Sequence, residues 1–425
     1  MPSLIRSNRA APARNAKPDH TSRTNMRIGL RSTAIPGLVL GLALGVAFGL
    51  ADAGRNAAAA QDIVKLGNIE AQTGALNTYG WMSSQGVRMA VDKINNDGGF
   101  EVAGKKYKFQ LINPDTQGNP QQALIELKKM LDDEHVRFVL GPFLTNVYKG
   151  IEPYAQGANG KFLLIGGATA MHFDLGKPNH DFLLRSWNWD AGPAGFGSAM
   201  VQNLKERGAK KVAMLMQNDA FGHVARDIYA PLFQQAGIAL DEEWFEPGTT
   251  DFSSVLAKIA AGKPDYLFPG YTDAVLYDIV RQATEVGLTR FWLVRGSLGP
   301  GLKNVDAIDD YVIYIPKYFE DAEKYEPKVK AFIEDYKKFY KTNFPYDQAP
   351  LCSSSCYDHV YMLVEAMKKA GSVDDVGKIK AALMSITYPG LWTIRYDETG
   401  EAIINFDIVD IKRGGKVEVT HIAAK

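Results

Sequence analysis

Gln61-Asp62-Ile63-Val64-Lys65-Leu66-Gly67 opens the folded part of this 425-residue chain as a strand-length, largely apolar run. It gives way to Val87, Ala90, Val91 and Ile94, spaced i, i+3, i+4 and i+7 as one face of a helix requires. Asp97-Gly98-Gly99 then stops the helix. This strand-then-helix unit repeats down the chain. A strand over 107–112 leads through Asn119-Pro120 into a helix with Ala123, Leu124, Leu127 and Leu131 on one face. A strand over 136–140, a turn at Gly141-Pro142, a helix from about Thr145 and a strand over 162–165 complete a first set. A second set follows, with strands over 212–216, 240–245, 266–268 and 291–294 separated by helices over 224–235, 252–261 and 274–286. Regular alternation with short connections predicts an α/β protein whose parallel sheets are covered by helices on both faces.

The second set begins again after the tryptophan-rich segment 185–190, which predicts two doubly wound lobes. Past residue 316 the pattern turns helical, over 327–341 and 356–370, and ends in strands over 391–396 and 403–411. That tail is too small for a third domain, so it should complete the two lobes, and the chain should cross between them more than once. The expected division is 61–186 plus 317–400 for lobe 1 and 187–316 plus 401–425 for lobe 2. Ligands of open parallel sheets bind beyond the carboxyl ends of the strands, which places the site in the cleft between the lobes.

Residues 1–60 read as a leader. Arg27 and Arg31 precede an uncharged apolar run over 34–51, diluted by Gly37, Gly41, Gly45 and Gly49. The small residues Ala51-Asp52-Ala53 and Ala58-Ala59-Ala60 after it offer two cleavage sites, the layout of a secretory signal. The competing reading is an uncleaved anchor, since about 18 apolar residues is the lower limit for spanning a bilayer. Of the 48 Lys/Arg, eight lie in the leader, and of the 48 Asp/Glu, two do, so the remainder is net acidic by about six charges. That argues against nucleic acid or an anionic membrane surface as partner. The two cysteines, Cys352 and Cys356, lie four apart with His359 close by. They read as a short-loop disulfide or as packed thiols, because no fourth ligand is in view for a metal.

Phosphate-loop, zinc-protease and nucleophile-elbow motifs are absent from the sequence. Gly192, Gly195 and Gly197 follow no strand and make a weak cofactor signal; they read as close-packing positions. No cofactor, metal or catalytic residue is expected, and the balance moves toward binding. The best positive signal is Gly141-Pro142-Phe143-Leu144 running into Thr145-Asn146. Thr or Asn at a helix start is expected to cap it, with backbone N–H groups beside it that attract an anion. The next strand ends in Gly166-Gly167-Ala168-Thr169, small residues plus one hydroxyl, so neighbouring strands would deliver a carboxylate cradle to one rim. Aromatic residues also fall at strand ends: Tyr79, Trp81, Trp187, Trp189, Phe221 and Tyr271. Several of these are expected to line the cleft.

Further residues carry a family likeness: Thr73-Gly74 followed by Tyr79-Gly80, Ile94-Asn95-Asn96-Asp97-Gly98-Gly99, Asp115 and Leu140-Gly141-Pro142. Asp219-Ala220-Phe221-Gly222, Asp251-Phe252-Ser253 and Tyr357-Asp358-x-Val360-Tyr361 continue it. In this order they resemble the type I periplasmic substrate-binding proteins of ABC importers, in the leucine/isoleucine/valine-binding branch. The resemblance covers the chain from Ile63 to about Asp410 and implies two lobes joined by a three-crossover hinge that closes around the ligand. It implies that Thr145, Gly167 and Thr169 hold the ligand carboxylate, and that Tyr79, Phe221 and Tyr271 cover the ligand. The family places an acid after the strand over 291–294 to pair with the ligand's ammonium. Here Arg295, Gly296 or Ser297 stands at that position, and none of them is acidic.

An unpaired buried ammonium is costly. The expected ligand is therefore a small carboxylate without an α-ammonium, aromatic acids among the candidates, with Trp81 and Trp187 as a flat wall and Arg295 meeting a second polar group. The alternative is a branched-chain or other amino acid, with Asp190, Asp219 or Asp273 supplying the charge. The implied partner is an inner-membrane ABC permease, or in a third reading a receptor fed by a ligand sensor. A monomer in the periplasm is expected.

Overall fold

The first sheet contains β1 (Asp62–Asn68), β2 (Phe100–Val102), β3 (Lys105–Ile112), β4 (Phe138–Leu140), β5 (Leu163–Gly166) and β6 (Leu183–Arg185). Its order is β2-β3-β1-β4-β5-β6, parallel except for β2. Register is set by pairs such as Leu66 with Leu111 and Phe138, and Ile165 with Leu184. Its strands alternate between two cores. Phe138, Leu140, Leu163 and Ile165 face one, while Val139 and Leu164 face the other. An apolar run without a polar face is what a strand covered on both sides needs. The helices α1 (Asn77–Asn96), α2 (Pro120–Lys128) and α3 (Thr145–Gly157) supply much of that cover. The computed structural model describes residues 62–74, 76–187, 196–269, 273–293, 307–315, 317, 324, 326–340 and 351–422.

The second sheet contains β7 (Lys211–Gln217), β8 (Ala239–Phe245), β9 (Tyr266–Phe268), β10 (Arg290–Leu293), β11 (Asp310–Ile315), β15 (Phe406–Lys412) and β16 (Lys416–Ile422). Its order is β16-β15-β11-β10-β9-β7-β8, with the last two strands of the chain antiparallel. Val212, Met214 and Met216 of β7 join the same continuous core as the first sheet, and Ala213 and Leu215 face a separate one. Its helices are α4 (Phe196–Glu206), α5 (Ala220–Ala236), α6 (Ser253–Ala261) and α7 (Asp273–Glu285).

After β11 come α8 (Pro327–Tyr340), α9 (Leu351–Ala370) and α10 (Val376–Met384), and α9 packs along α1. At that seam a Cβ on Gly86 would lie 2.0 Å from the Ser353 carbonyl, so only glycine allows this approach. A small sheet of β12 (Tyr388–Pro389), β13 (Thr393–Tyr396) and β14 (Ala402–Ile404) follows. The chain thus passes from the first sheet to the second after β6, returns after β11 to the helices and small sheet that lie against α1 and the end of β6, and re-enters the second sheet at Asn405 between β14 and β15. The expected doubly wound, multiply crossed fold is borne out. Five strands were not foreseen, β2, β6, β11, β12 and β16, and the single strand expected over 403–411 is two strands in different sheets. Cys352 and Cys356 are not joined in a disulfide, so of the two readings the disulfide falls. His359 is buried with Nδ1 on the Ser355 carbonyl at 2.7 Å.

Candidate functional site

β1 and β4 end at the same rim. Gly141, at φ +85°, follows β4, and a Cβ there would lie 2.8 Å from both Glu70 Oε1 and the Ile69 carbonyl oxygen. Glu70, just past β1, reaches across this gap, and its Oε2 accepts from the Phe143 backbone N–H at 3.0 Å. Burial pushes the Glu70 carboxyl up to about 8, with the Phe143 N–H and the Ser83 hydroxyl pulling it partly back.

The held Phe143 organises the aromatic residues. It stacks on Tyr79 with ring centres 4.9 Å apart and meets Trp187 edge-on at 6.0 Å. Trp187 in turn meets Trp392 edge-on at 5.2 Å. Asp358 fixes Trp392, accepting its backbone N–H at 2.8 Å on Oδ2. Burial raises the Asp358 carboxyl to about 7, while the Trp392 and Leu391 N–H groups and Lys328 and Lys317 pull it down. Gly167 fits beneath these rings, for a Cβ there would lie 2.9 Å from Phe143 Cδ2 and 3.4 Å from Trp187 Cδ1. Tyr79, Gly167 and Trp187 are therefore brought together, with Phe143 and Trp392 as members the sequence reading did not single out. Trp81 lies elsewhere on α1, half-buried and tilted against Tyr340 at 6.5 Å. Trp187 is buried within the group, so the two tryptophans do not form the flat wall expected of them. Tyr79 and Trp81 stand in a helix, not in a loop after the strand.

Thr145 and Thr169 are 4 % and 2 % exposed, and among the described residues neither hydroxyl has a hydrogen-bond partner. The expected cap is corrected. Leu144 occupies the cap position of α3 and makes no side-chain cap bond, and Thr145 is the first helical residue. The segment is instead held by Glu70 through Phe143. Asn146 donates its amide to the Gly118 carbonyl at 3.2 Å, which ties α3 to the loop before α2. Ala168 is fully buried, its carbonyl accepting from Arg185 Nε at 3.3 Å, and Thr169–Phe173 form a 3-10 turn.

From the second sheet, α5 packs against that 3-10 turn and against α3. Val224 reaches the core cluster that holds Ala168, Ala170 and Met171. Phe221, the second residue of α5, is half-buried one turn before Val224. Asp219 caps α5 by accepting from Gly222 N at 2.8 Å and also accepts from Gln217 Nε2 at 2.6 Å, so its carboxylate is engaged. Asp273 is the first residue of α7. Trp189, Asp190, Gly192, Gly195, Tyr271, Arg295, Gly296 and Ser297 lie outside the described residues, as does the leader.

Among the described residues, the group with metal-ligand spacing is Glu152, Asp174 and His180. Lys149 already pairs with both carboxylates, at 2.9 and 3.2 Å, and Lys177 with Asp174 at 3.3 Å, so the group is a neutralised ion-pair network. No described helix is long and apolar enough to cross a membrane.

A family model described as periplasmic binding protein matches residues 63–416. The chain is 24 % identical over 357 residues to the leucine-, isoleucine-, valine-, threonine- and alanine-binding protein of Pseudomonas aeruginosa, covering 82 % of this chain and 89 % of that one. Its fold is similar to that of a leucine binding protein from Thermotoga maritima, with a TM-score of 0.69, 22 % identity, and 85 % and 99 % of the two chains covered. It is similar as well to a solute binding protein of an ABC transporter from R. palustris in complex with benzoate, with a TM-score of 0.68, 17 % identity, and 85 % and 96 % covered. With two largely parallel sheets, a chain that crosses three times between their two sides and a match along most of its length, the chain belongs to the periplasmic binding protein family, in its type I, leucine/isoleucine/valine-binding branch.

Proposed function

We propose that this protein is the extracytoplasmic solute-binding component of an ABC importer, and that it holds a small carboxylate without an α-ammonium, of the aromatic-acid class, between two lobes. The observation that carries this reading is the placement of Thr145 and Thr169, two buried residues whose hydroxyls have no partner among the described residues, beside the Tyr79–Phe143–Trp187 group. Hydroxyls in that state have hydrogen bonds to offer, and aromatic rings next to them favour a flat apolar body on the same ligand. Gly167 lets the backbone approach, and Phe221 on α5 would close over the ligand from the second lobe. Tyr271 and Arg295 belong to the proposed site on sequence grounds, as do Asn146 and Ala168 as backbone neighbours, and Trp81 enters it on sequence grounds alone. The benzoate complex of the R. palustris relative supports an aromatic acid on this fold.

In this reading residues 1–60 direct export and are removed. Lobe 1 is 61–186 plus 317–400, lobe 2 is 187–316 plus 401–425, and the monomer delivers its closed form to an inner-membrane permease. Closure is stabilised because the ligand touches both lobes, and no catalytic step is needed. A branched-chain amino acid is the second reading, favoured by the name of the P. aeruginosa relative. It requires a carboxylate for the ammonium, and Asp219 is already spent on the cap of α5. Thr145→Val and Thr169→Val are each expected to weaken benzoate binding about tenfold, one lost hydrogen bond to a charged group, with little change in melting temperature. Calorimetric titration checks this, and wild-type affinity in both variants would refute the cradle.

A further inference from the structure

Glu70 is a carboxyl in the wrong place for an ordinary strand end. It is 2 % exposed, and the groups that act on it among the described residues are the Phe143 N–H and the Ser83 hydroxyl, with no lysine, arginine or histidine. A lone buried carboxylate without a cation is costly, so the neutral acid is the stable form inside the fold. Its one geometric task is visible: Oε2 holds the Phe143 N–H at 3.0 Å, two residues before Thr145. Phe143 in turn fixes Tyr79 and Trp187 and roofs Gly167.

We propose that Glu70 is the positioning residue of the ligand-facing rim, and that its proton must be in place for the rim to accept a carboxylate. This rests on the reading of Thr145, Gly167 and Thr169 as the carboxylate cradle. Ionised, Glu70 would set a negative charge behind the segment on which the ligand's own negative charge is seated, in surroundings that screen it poorly. Two titratable groups on the elements around it change near neutrality: Glu70, and Asp358 on α9, which burial raises to about 7 and which holds the Trp392 backbone, so every comparison below is made in an Asp358→Asn background, with wild type meaning glutamate at position 70. On α9, Cys356 is a thiol that burial and Glu70 push up to about 12. In the loop after β3, burial raises Asp115, but the Thr73 hydroxyl and the backbone N–H groups of Gln117, Gln72 and Thr73 hold it below its usual value. From α1 the facing group is Ser83, which does not titrate in this range.

The test uses benzoate, ionised throughout, as probe for the refolded full mature chain between about pH 6 and 9. In the wild type the dissociation constant is expected to rise tenfold or more across that range. Glu70→Gln keeps one acceptor and one donor, so it should bind within about threefold of wild type at the acid end and show no pH dependence. Glu70→Leu should bind tenfold or more weakly at every pH. Near-UV circular dichroism of the ligand-free protein reports on the Tyr79–Phe143–Trp187–Trp392 group without any ligand. It is expected to change with a midpoint near 8 in the wild type and not in Glu70→Gln.

If benzoate fails to bind while the dichroism transition is present and is abolished by Glu70→Gln, the carboxylate reading fails and the positioning role of Glu70 stands. If Glu70→Gln follows the wild type in both measurements, the proposal is overturned.

Discussion

Replacing Glu401 with alanine is expected to lower the unfolding free energy by about 3–5 kcal/mol, measured by urea denaturation. Arg185 is fully buried, and its Nη1 lies 2.6 Å from Glu401 Oε1. The second carboxylate oxygen meets His172 Nδ1 at 2.7 Å. Removing the carboxylate takes one counter-charge from a guanidinium held in the interior, and the penalty for breaking such a buried pair exceeds the modest worth of the pair itself. The location adds a functional consequence. Arg185 ends β6 just before the first passage between the sheets, and Glu401 precedes β14 and the third passage. The two backbones bridge in parallel, with Arg185 N on the Gly400 carbonyl at 2.8 Å. Two of the three connecting segments are thus fastened to each other by one ion pair. Glu401→Gln keeps acceptor geometry and should cost less than alanine. A loss under about 1 kcal/mol for alanine would show that Arg185 is not dependent on this carboxylate.

The second large effect is on stability against pH. Burial holds Glu70 at about 8 against an ordinary 4.5, and Asp358 at about 7 against 3.8. Both native values are raised, so the folded chain keeps two protons that the unfolded chain has released. Their stabilisation is complete below about pH 4, is lost progressively as pH rises toward 7 and 8, and changes no further beyond. Each contributes on the order of 4 kcal/mol over that span. His359 acts in the opposite sense. Burial lowers it to about 4, so it adds stability as pH rises from about 4 to 6.5. Denaturant unfolding across this range, compared with a Glu70→Gln, Asp358→Asn double variant, isolates the two carboxyls. The wild type should lose stability relative to the variant as pH rises, and parallel profiles would contradict the burial of neutral acids at these positions.

Much of the fold was legible because it is local. β1, β4, β5 and β7 announce themselves as apolar runs, and the helix face of Val87, Ala90, Val91 and Ile94 is buried as its spacing requires. What escaped was short or depended on distant partners. β2 is three residues of a hairpin turned by Ala103 and Gly104, both at positive φ. β6 is three residues that pair only because β5 lies beside them. The continuous apolar stretch around Asn405 hides the fact that its two halves belong to different sheets, since hydrophobicity does not record which neighbour a strand pairs with. The site divides in the same way. Thr145, Gly167 and Thr169 follow from strand ends delivered to one rim. Trp392 meets Trp187 across more than 200 residues, and Glu70 reads in sequence as a polar residue past a strand, with nothing to mark its hold on Phe143. The cap expected of Thr145 failed because the backbone before α3 is fastened by a carboxyl from another strand.

The most direct test is a thermal-shift screen of the mature protein, unfolded and refolded to remove carried-over ligand, against benzoate-type acids, aliphatic carboxylates, and leucine, isoleucine and valine. A ligand at 100 times its dissociation constant adds about 2.7 kcal/mol, a shift that is easily read. Stabilisation by aromatic or other non-amino acids, with none from the branched-chain amino acids, is the expected result. Stabilisation by leucine, isoleucine or valine alone would contradict it and would require a carboxylate that pairs with their ammonium group.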